Sequence, residues 1–210
     1  MSNIQNITME DREFLNTFFA ITSNKLRPRK GRLLLADPFA NDFYFTRSVV
    51  LLAEYNREEG AMGFILNKPV PSESIPFELM EDLDGFTPEV FYGGPVGRTQ
   101  LFYLHTASPD ILEGSLPIMD GLYWGGSYKD LTTLIKSGKL PLSEVKFFIG
   151  YSGWAPGQLE SEIERNFWVI ADTDKNEIFS NPKSLWKRKL KSLGPKYEVW
   201  TKYPIDPQYN

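Results

Sequence analysis

Three short apolar runs, Leu33 to Ala36, Ser48 to Ala53 and Ala61 to Leu66, follow one another closely near the start of the chain. A parallel crossover needs about a dozen residues or more between strands, so runs this close together imply a mainly antiparallel core. The segment Glu54-Tyr55-Asn56-Arg57-Glu58-Glu59-Gly60 between the last two reads as a polar hairpin or loop. It ends in a residue that accepts positive φ.

The remaining sequence alternates strands and helices without a regular βαβ rhythm. Residues 8 to 21 read as an amphipathic helix, with Thr8 and Asp11 at capping-box spacing and Phe14, Leu15, Phe18 and Phe19 as its stripe. The basic connector Arg27-Pro28-Arg29-Lys30 leads into the first strand. A short helix is expected from Ser74, then strands over Glu89 to Tyr92 and Leu101 to His105, joined by the loop Gly93-Gly94-Pro95-Val96-Gly97. Beyond a Pro-containing loop, Ser127 and Asp130 cap a helix that ends at Gly138. A strand over Val145 to Ile149, a helix opened by Pro156, a strand over Trp168 to Ala171 and a last helix from Asn181-Pro182 to Gly194-Pro195 complete the pattern. This intermixing predicts an α+β fold in a single domain over residues 31–195, with residues 1–30 as helix and connector and 196–210 as a tail.

Composition narrows the function classes. The 210 residues carry 23 basic and 27 acidic side chains, a net charge of -4, which is not the strongly basic profile of a general nucleic-acid binder. There is no cysteine, which excludes disulfides, thiolate zinc sites, iron–sulfur ligation and cysteine nucleophiles. The first residues contain Glu10, Asp11 and Glu13 and lack an apolar core, and no run approaches the length of a membrane helix. A cytoplasmic protein with no membrane partner is expected.

Six blocks carry a family resemblance. They are Gly31-Arg32-Leu33-Leu34-Leu35-Ala36-Asp37-Pro38, Phe45-Thr46-Arg47-Ser48-Val49-Val50-Leu51-Leu52, Gly60-Ala61-Met62-Gly63-Phe64-Ile65-Leu66-Asn67-Lys68-Pro69, Tyr92-Gly93-Gly94-Pro95-Val96, Leu101-Phe102-Tyr103-Leu104-His105-Thr106, and the stretch from Gly150-Tyr151-Ser152-Gly153-Trp154 to Glu160. In this order and spacing they resemble the YqgE/AlgH family over roughly residues 30 to 195. The Trp124-Gly125-Gly126 segment and the Tyr203-Pro204-Ile205-Asp206-Pro207 ending resemble its Bacteroidetes branch. The resemblance implies a bifurcated, partly barrel-like sheet flanked by helices, and no established activity. Members are often labelled transcriptional regulators, although no helix-turn-helix pattern is visible in this chain.

The common chemistries fit poorly. Gly150-Tyr151-Ser152-Gly153 suggests a nucleophile elbow, but the G-x-S-x-G spacing fails at Trp154. The glycines then serve a tight turn into the Pro156 helix. His105 is the single histidine, too few for a His-rich metal site, and the carboxylate pairs Glu160 with Glu164 and Asp172 with Asp174 are ordinary on solvated faces. No metal and no cofactor is predicted. The glycine segments at 93–97 and 124–126 match neither the P-loop nor the dinucleotide pattern. If an anion binds, Arg47 and Arg98 supply charge, Asn67 and His105 supply directional hydrogen bonds, and Gly93 and Gly94 supply backbone. On the last helix Lys183, Lys187 and Lys191 form a stripe, with Arg188 beside it, that could follow nucleic-acid phosphates or simply face water. The leading expectation is a non-enzymatic binding or regulatory module for a small anion or a protein. The rivals are a nucleic-acid-binding regulator and an enzyme acting on a small anionic substrate.

Overall fold

The computed structural model describes residues 26–39, 44–79, 81–83 and 85–202. The helix expected over 8–21 and the ending from Tyr203 to Pro207 lie outside them. Among the described residues nine strands form one sheet: β1 (Leu33–Ala36), β2 (Val49–Asn56), β3 (Gly60–Ile65), β4 (Val90–Tyr92), β5 (Val96–His105), β6 (Ser115–Met119), β7 (Leu122–Gly125), β8 (Val145–Trp154) and β9 (Trp168–Ala171). The order is β6-β7-β5-β8-β3-β2-β1-β9, with β4 attached to β8 off this path. Every pairing is antiparallel except β4 with β8. β6 and β9 are the two ends, so the sheet does not close.

The sheet forks at β8. Residues Phe147, Phe148 and Ile149 pair with β4, whereas Ser152, Gly153 and Trp154 pair with β3. Three apolar clusters result. The central one takes Leu33, Leu35, Val49, Leu51 and Phe64 from one branch and Phe91, Leu104, Leu122 and Phe148 from the other. Phe64 and Phe148 stack at 4.9 Å between centroids, across the fork. Burying rings of this size contributes roughly 1.5–3 kcal/mol each.

Helices α1 (Tyr128–Lys136), α2 (Gln158–Glu164), α3 (Lys175–Ile178), α4 (Leu185–Ser192) and α5 (Pro195–Glu198) cover this frame. Ile178 of α3, Leu185, Trp186 and Leu190 of α4 and Tyr197 of α5 join the central cluster. The Trp186 indole N–H donates to the Ala36 carbonyl at 2.8 Å, fixing α4 against β1. Leu131 and Ile135 of α1 bury a second cluster, and Leu159 and Ile163 of α2 a third, on the outer faces of the two branches.

Several elements differ from the sequence expectation. The helix expected from Ser74 is a series of short 3-10 turns over Ser72–Ser74, Phe77–Leu79 and Glu81–Leu83. The Pro-containing loop holds the hairpin of β6 and β7, turned at Asp120-Gly121 with Gly121 at φ +65°. β2 runs on to Asn56 after a bulge between Leu52 and Glu54, so only Arg57 to Glu59 remain as the turn. Beyond Gly194 the chain forms α5 and a further 3-10 turn rather than an immediate tail. Among the described residues no helix is long and apolar enough to cross a membrane.

Candidate functional site

The Gly150-Tyr151-Ser152-Gly153-Trp154 block is the C-terminal half of β8, not a turn into a helix. The turn comes later, at Ala155 to Gly157. Gly150 lies at φ +71° within the strand, where a Cβ would come 2.6 Å from the Val96 carbonyl oxygen and 2.7 Å from that of Gly94. A Cβ on Gly93 would sit 2.0 Å from the Gly150 carbonyl oxygen. These glycines allow two chain segments to cross where β8 exchanges β4 for β3.

The crossing is stitched by one carbonyl. Gly93 O accepts from Ile65 N at 3.0 Å and from Ser152 Oγ at 3.0 Å, while Gly93 N donates to Ile149 O at 2.9 Å. Ser152 is fully buried and its hydroxyl is engaged in this contact. The register pairs His105 with Val145, seven residues before Ser152 on β8, or roughly 20 Å along the strand. A Ser–His relay does not form in this arrangement.

The other sequence candidates are separated by the fold. Asn67 bridges two segments, accepting from Val49 N at 2.8 Å and donating to Arg47 O at 2.9 Å. Arg47, at φ +52°, places its guanidinium over the Trp186 ring at 5.3 Å, and burial pushes its pKa down. Arg98 is exposed on the irregular part of β5 between Val96 and Leu101. His105 lies at the far end of β5, where Nε2 meets the Gly125 carbonyl at 2.9 Å and the ring stacks on Tyr123. Burial pushes the imidazole below its ordinary value, outweighing the contacts with the Gly125 and Ala107 backbone that favour the charged form. Ser127 caps α1 by accepting from Asp130 N at 3.3 Å, so the helix start behind Gly125-Gly126 is already served by its own side chain.

The basic and acidic candidates are also placed. Arg188 donates to Asn181 O, Ser184 Oγ and Ser180 Oγ, closing the start of its own helix. Lys191 stands 3.9 Å from Glu198, and Lys183 and Lys187 are exposed. Asp172 pairs with Arg32 at 2.8 Å and Arg29 at 3.4 Å, which holds its carboxyl below the usual range. Asp174 caps α3 through Glu177 N. Glu160 accepts the Tyr55 hydroxyl at 2.6 Å. Among the described residues no group of three or more His, Cys, Asp or Glu is placed to hold a metal ion.

What the family block does bring to the surface is an open groove of about 630 Å³. Met62, Val96, Trp124, Tyr151 and Trp154 give it aromatic and apolar walls, and Glu54 and Glu59 give it carboxylates. Val96 is 40% exposed. The Trp124 indole donates to Glu54 Oε1 at 3.0 Å, and the Lys30 ammonium holds both oxygens of the same carboxylate at 2.9 Å. Tyr151 packs edge-on against Phe102. None of Glu54, Trp124 or Tyr151 stands out as a ligand-binding residue in the sequence, because Glu54 reads as part of a polar loop. The Asp120-Gly121 pair was the available signal for the hairpin that presents Trp124.

The comparisons with known proteins agree with this architecture. The AlgH-like family model matches residues 33–198. A UPF0301 protein of Cytophaga hutchinsonii is 46% identical over 86% of this chain and 98% of its own length, and one of Parabacteroides distasonis is 42% identical over 91% and 96%. A crystal structure of a Corynebacterium diphtheriae protein superposes with a TM-score of 0.71 at 20% identity, covering 90% of this chain and 98% of that one. The solution structure of the AlgH protein from Pseudomonas aeruginosa gives 0.63 at 27% identity, covering 86% and 98%. The chain belongs to the AlgH-like family, in its Bacteroidetes branch.

Proposed function

We propose that this AlgH-like protein is a non-enzymatic binding module of a regulatory kind, which captures a cationic side chain of a partner protein in the groove beside Tyr151. One observation carries the reading: the Trp124 and Tyr151 rings line the groove together with the exposed Glu59 carboxylate, and Glu54, already paired with Lys30, holds the Trp124 indole in place. A lysine or arginine entering there meets the Glu59 carboxylate and aromatic faces together. Such contacts contribute about 0.5–1 kcal/mol for each exposed cation–π pair and more when water is excluded. The engagement of Ser152 in the fork and its distance from His105 support binding rather than turnover.

The test is a tryptophan-fluorescence titration of the full chain with a short arginine-containing peptide and its glutamate counterpart at low salt. Saturable quenching by the basic peptide alone, weakened by Tyr151→Ala, is the expected result. Equal response to both peptides, or none to either, would remove the reading. Turnover of a small anionic substrate that is lost in an Arg47 and His105 double variant with intact fold would establish the enzymatic alternative instead.

A further inference from the structure

At the opposite, N-terminal end of β8 the central cluster opens onto a second recess, a cleft of about 520 Å³. Its floor holds a charge that the surrounding sequence gives no reason to expect. Lys146 lies between Val145 and Phe147 in a buried stretch of strand and is only 6% exposed. Its ammonium donates to the Ile178 carbonyl at 3.3 Å and stands 4.2 Å over the Phe91 ring. An ammonium carries three N–H donors, and a buried cation is stabilised chiefly by an opposite charge. Among the described residues no carboxylate reaches Lys146 within ion-pair distance, whereas Lys30, Lys189 and Lys191 each have one.

The cleft around it is mixed in character. Phe91, Leu142 and Phe179 form an apolar wall, Ser143 contributes a hydroxyl, and Lys183 and Glu89 face the opening. Two lysines against one glutamate leave one positive charge in excess, which matches a single anionic group rather than a dianion. The apolar wall matches a hydrocarbon body. We propose that this cleft binds a small monocarboxylate, its carboxylate meeting Lys146 at the floor and Lys183 at the rim and its hydrocarbon part lying on Phe91, Leu142 and Phe179. The site is separate from the Tyr151 groove and does not depend on it.

A bound carboxylate supplies a counter-charge at ion-pair distance, closer than Glu89 stands. Burial holds the Lys146 pKa at about 8, with Glu89 opposing that shift in part. A carboxylate beside the ammonium raises the pKa again, so binding near pH 8 takes up a proton. Proton uptake is the signature of a lysine whose pKa burial has lowered.

The experiment is isothermal titration of the full chain with hexanoate and with benzoate at pH 8 in two buffers of different ionisation enthalpy. Inorganic phosphate and butylamine are titrated in parallel. Saturable binding of the carboxylates with a buffer-dependent enthalpy is expected, together with loss of both in Lys146→Met. Lys183→Met, at an exposed position, is expected to weaken binding about tenfold without abolishing proton uptake. Tyr151→Ala is expected to leave the titration unchanged. Absence of saturable binding to the wild-type chain, enthalpy independent of buffer, or tighter binding of phosphate than of either carboxylate would each overturn the proposal. The wild-type measurements alone decide it if Lys146→Met does not fold.

Discussion

The Ser152 hydroxyl donates to the Gly93 carbonyl at 3.0 Å, and both residues are buried where the sheet forks. Removing that hydroxyl leaves the carbonyl with its Ile65 N–H, so no acceptor is left unsatisfied. Ser152→Ala should therefore lower stability by about 0.5–1.5 kcal/mol, the net contribution of one hydrogen bond. Gly93→Ala should cost far more, because its Cβ collides with backbone at 2.0 Å. Urea denaturation of both variants checks this: equal losses would mean that the fork does not depend on close chain approach.

His105 makes a prediction about pH. It is the single histidine and is fully buried, and its pKa is pushed below the ordinary 6.5 by burial. Protonation is harder in the folded state than in the unfolded one, so the unfolded chain binds the extra proton first. The stability tied to a neutral His105 is complete above about pH 6.5 and is lost as pH falls from there through the folded value. Urea midpoints between pH 5 and pH 7.5 should decline towards acid in the wild type. His105→Gln should flatten that decline, and an unchanged slope in the variant would place its cause in the carboxylates.

The sequence was informative where a residue's local role and its tertiary role coincide. β1 and β9 read directly as apolar runs, the Ser127 cap marks α1, and six blocks in register identify the family. The antiparallel α+β sheet with a bifurcation agrees with what those blocks imply. The sequence was silent where the deciding contact is long-range. Ser152 looks like a nucleophile because the glycines around it suggest a turn, yet Gly150 takes its positive φ inside a strand, to let residues 93 and 94 pass. Asn67, with the look of a ligand, is a bridge between Val49 and Arg47. The groove is assembled from β2, β3, β5, β7 and β8, so no single segment carries its signal.

Glu162 on α2 joins two indoles. Its Oε2 accepts from Trp154 Nε1 at 2.8 Å and from Trp168 Nε1 at 2.7 Å, and Oε1 accepts from Gln158 at 2.9 Å. Both tryptophans are buried, and their rings meet edge-on at 6.0 Å. Glu162→Ala leaves two buried indole donors without an acceptor, at about 1–3 kcal/mol each. Glu162→Gln retains an acceptor and should lose less than half as much. Thermal unfolding separates the two variants, and similar losses would show that the charge, not the acceptor geometry, holds the pair.

Lys146 sets ligand capture against stability. Holding its pKa at about 8 rather than 10.5 means that burial disfavours the charged form, by roughly 3 kcal/mol on the gap between those values. The folded state carries this penalty in full below pH 8. Between about pH 8 and 10.5 the folded chain has released the proton while the unfolded chain still holds it, so stability rises with pH across that window relative to a chain lacking the group. Lys146→Met keeps the length and apolar stem of the side chain and removes the charge. It loses the bond to the Ile178 carbonyl and the contact over Phe91, which offset part of the gain. At pH 7 the variant should be more stable than wild type by about 1 kcal/mol or more, as when buried ionic groups are replaced by apolar ones. Its advantage should shrink steadily towards pH 10.5. Guanidinium unfolding of both proteins at pH 7, 8.5 and 10 gives the comparison, and taking the difference cancels the tyrosines that titrate at the alkaline end. A variant less stable at pH 7, or an advantage independent of pH, would show that Lys146 is held by the fold for its structural contacts rather than against its charge.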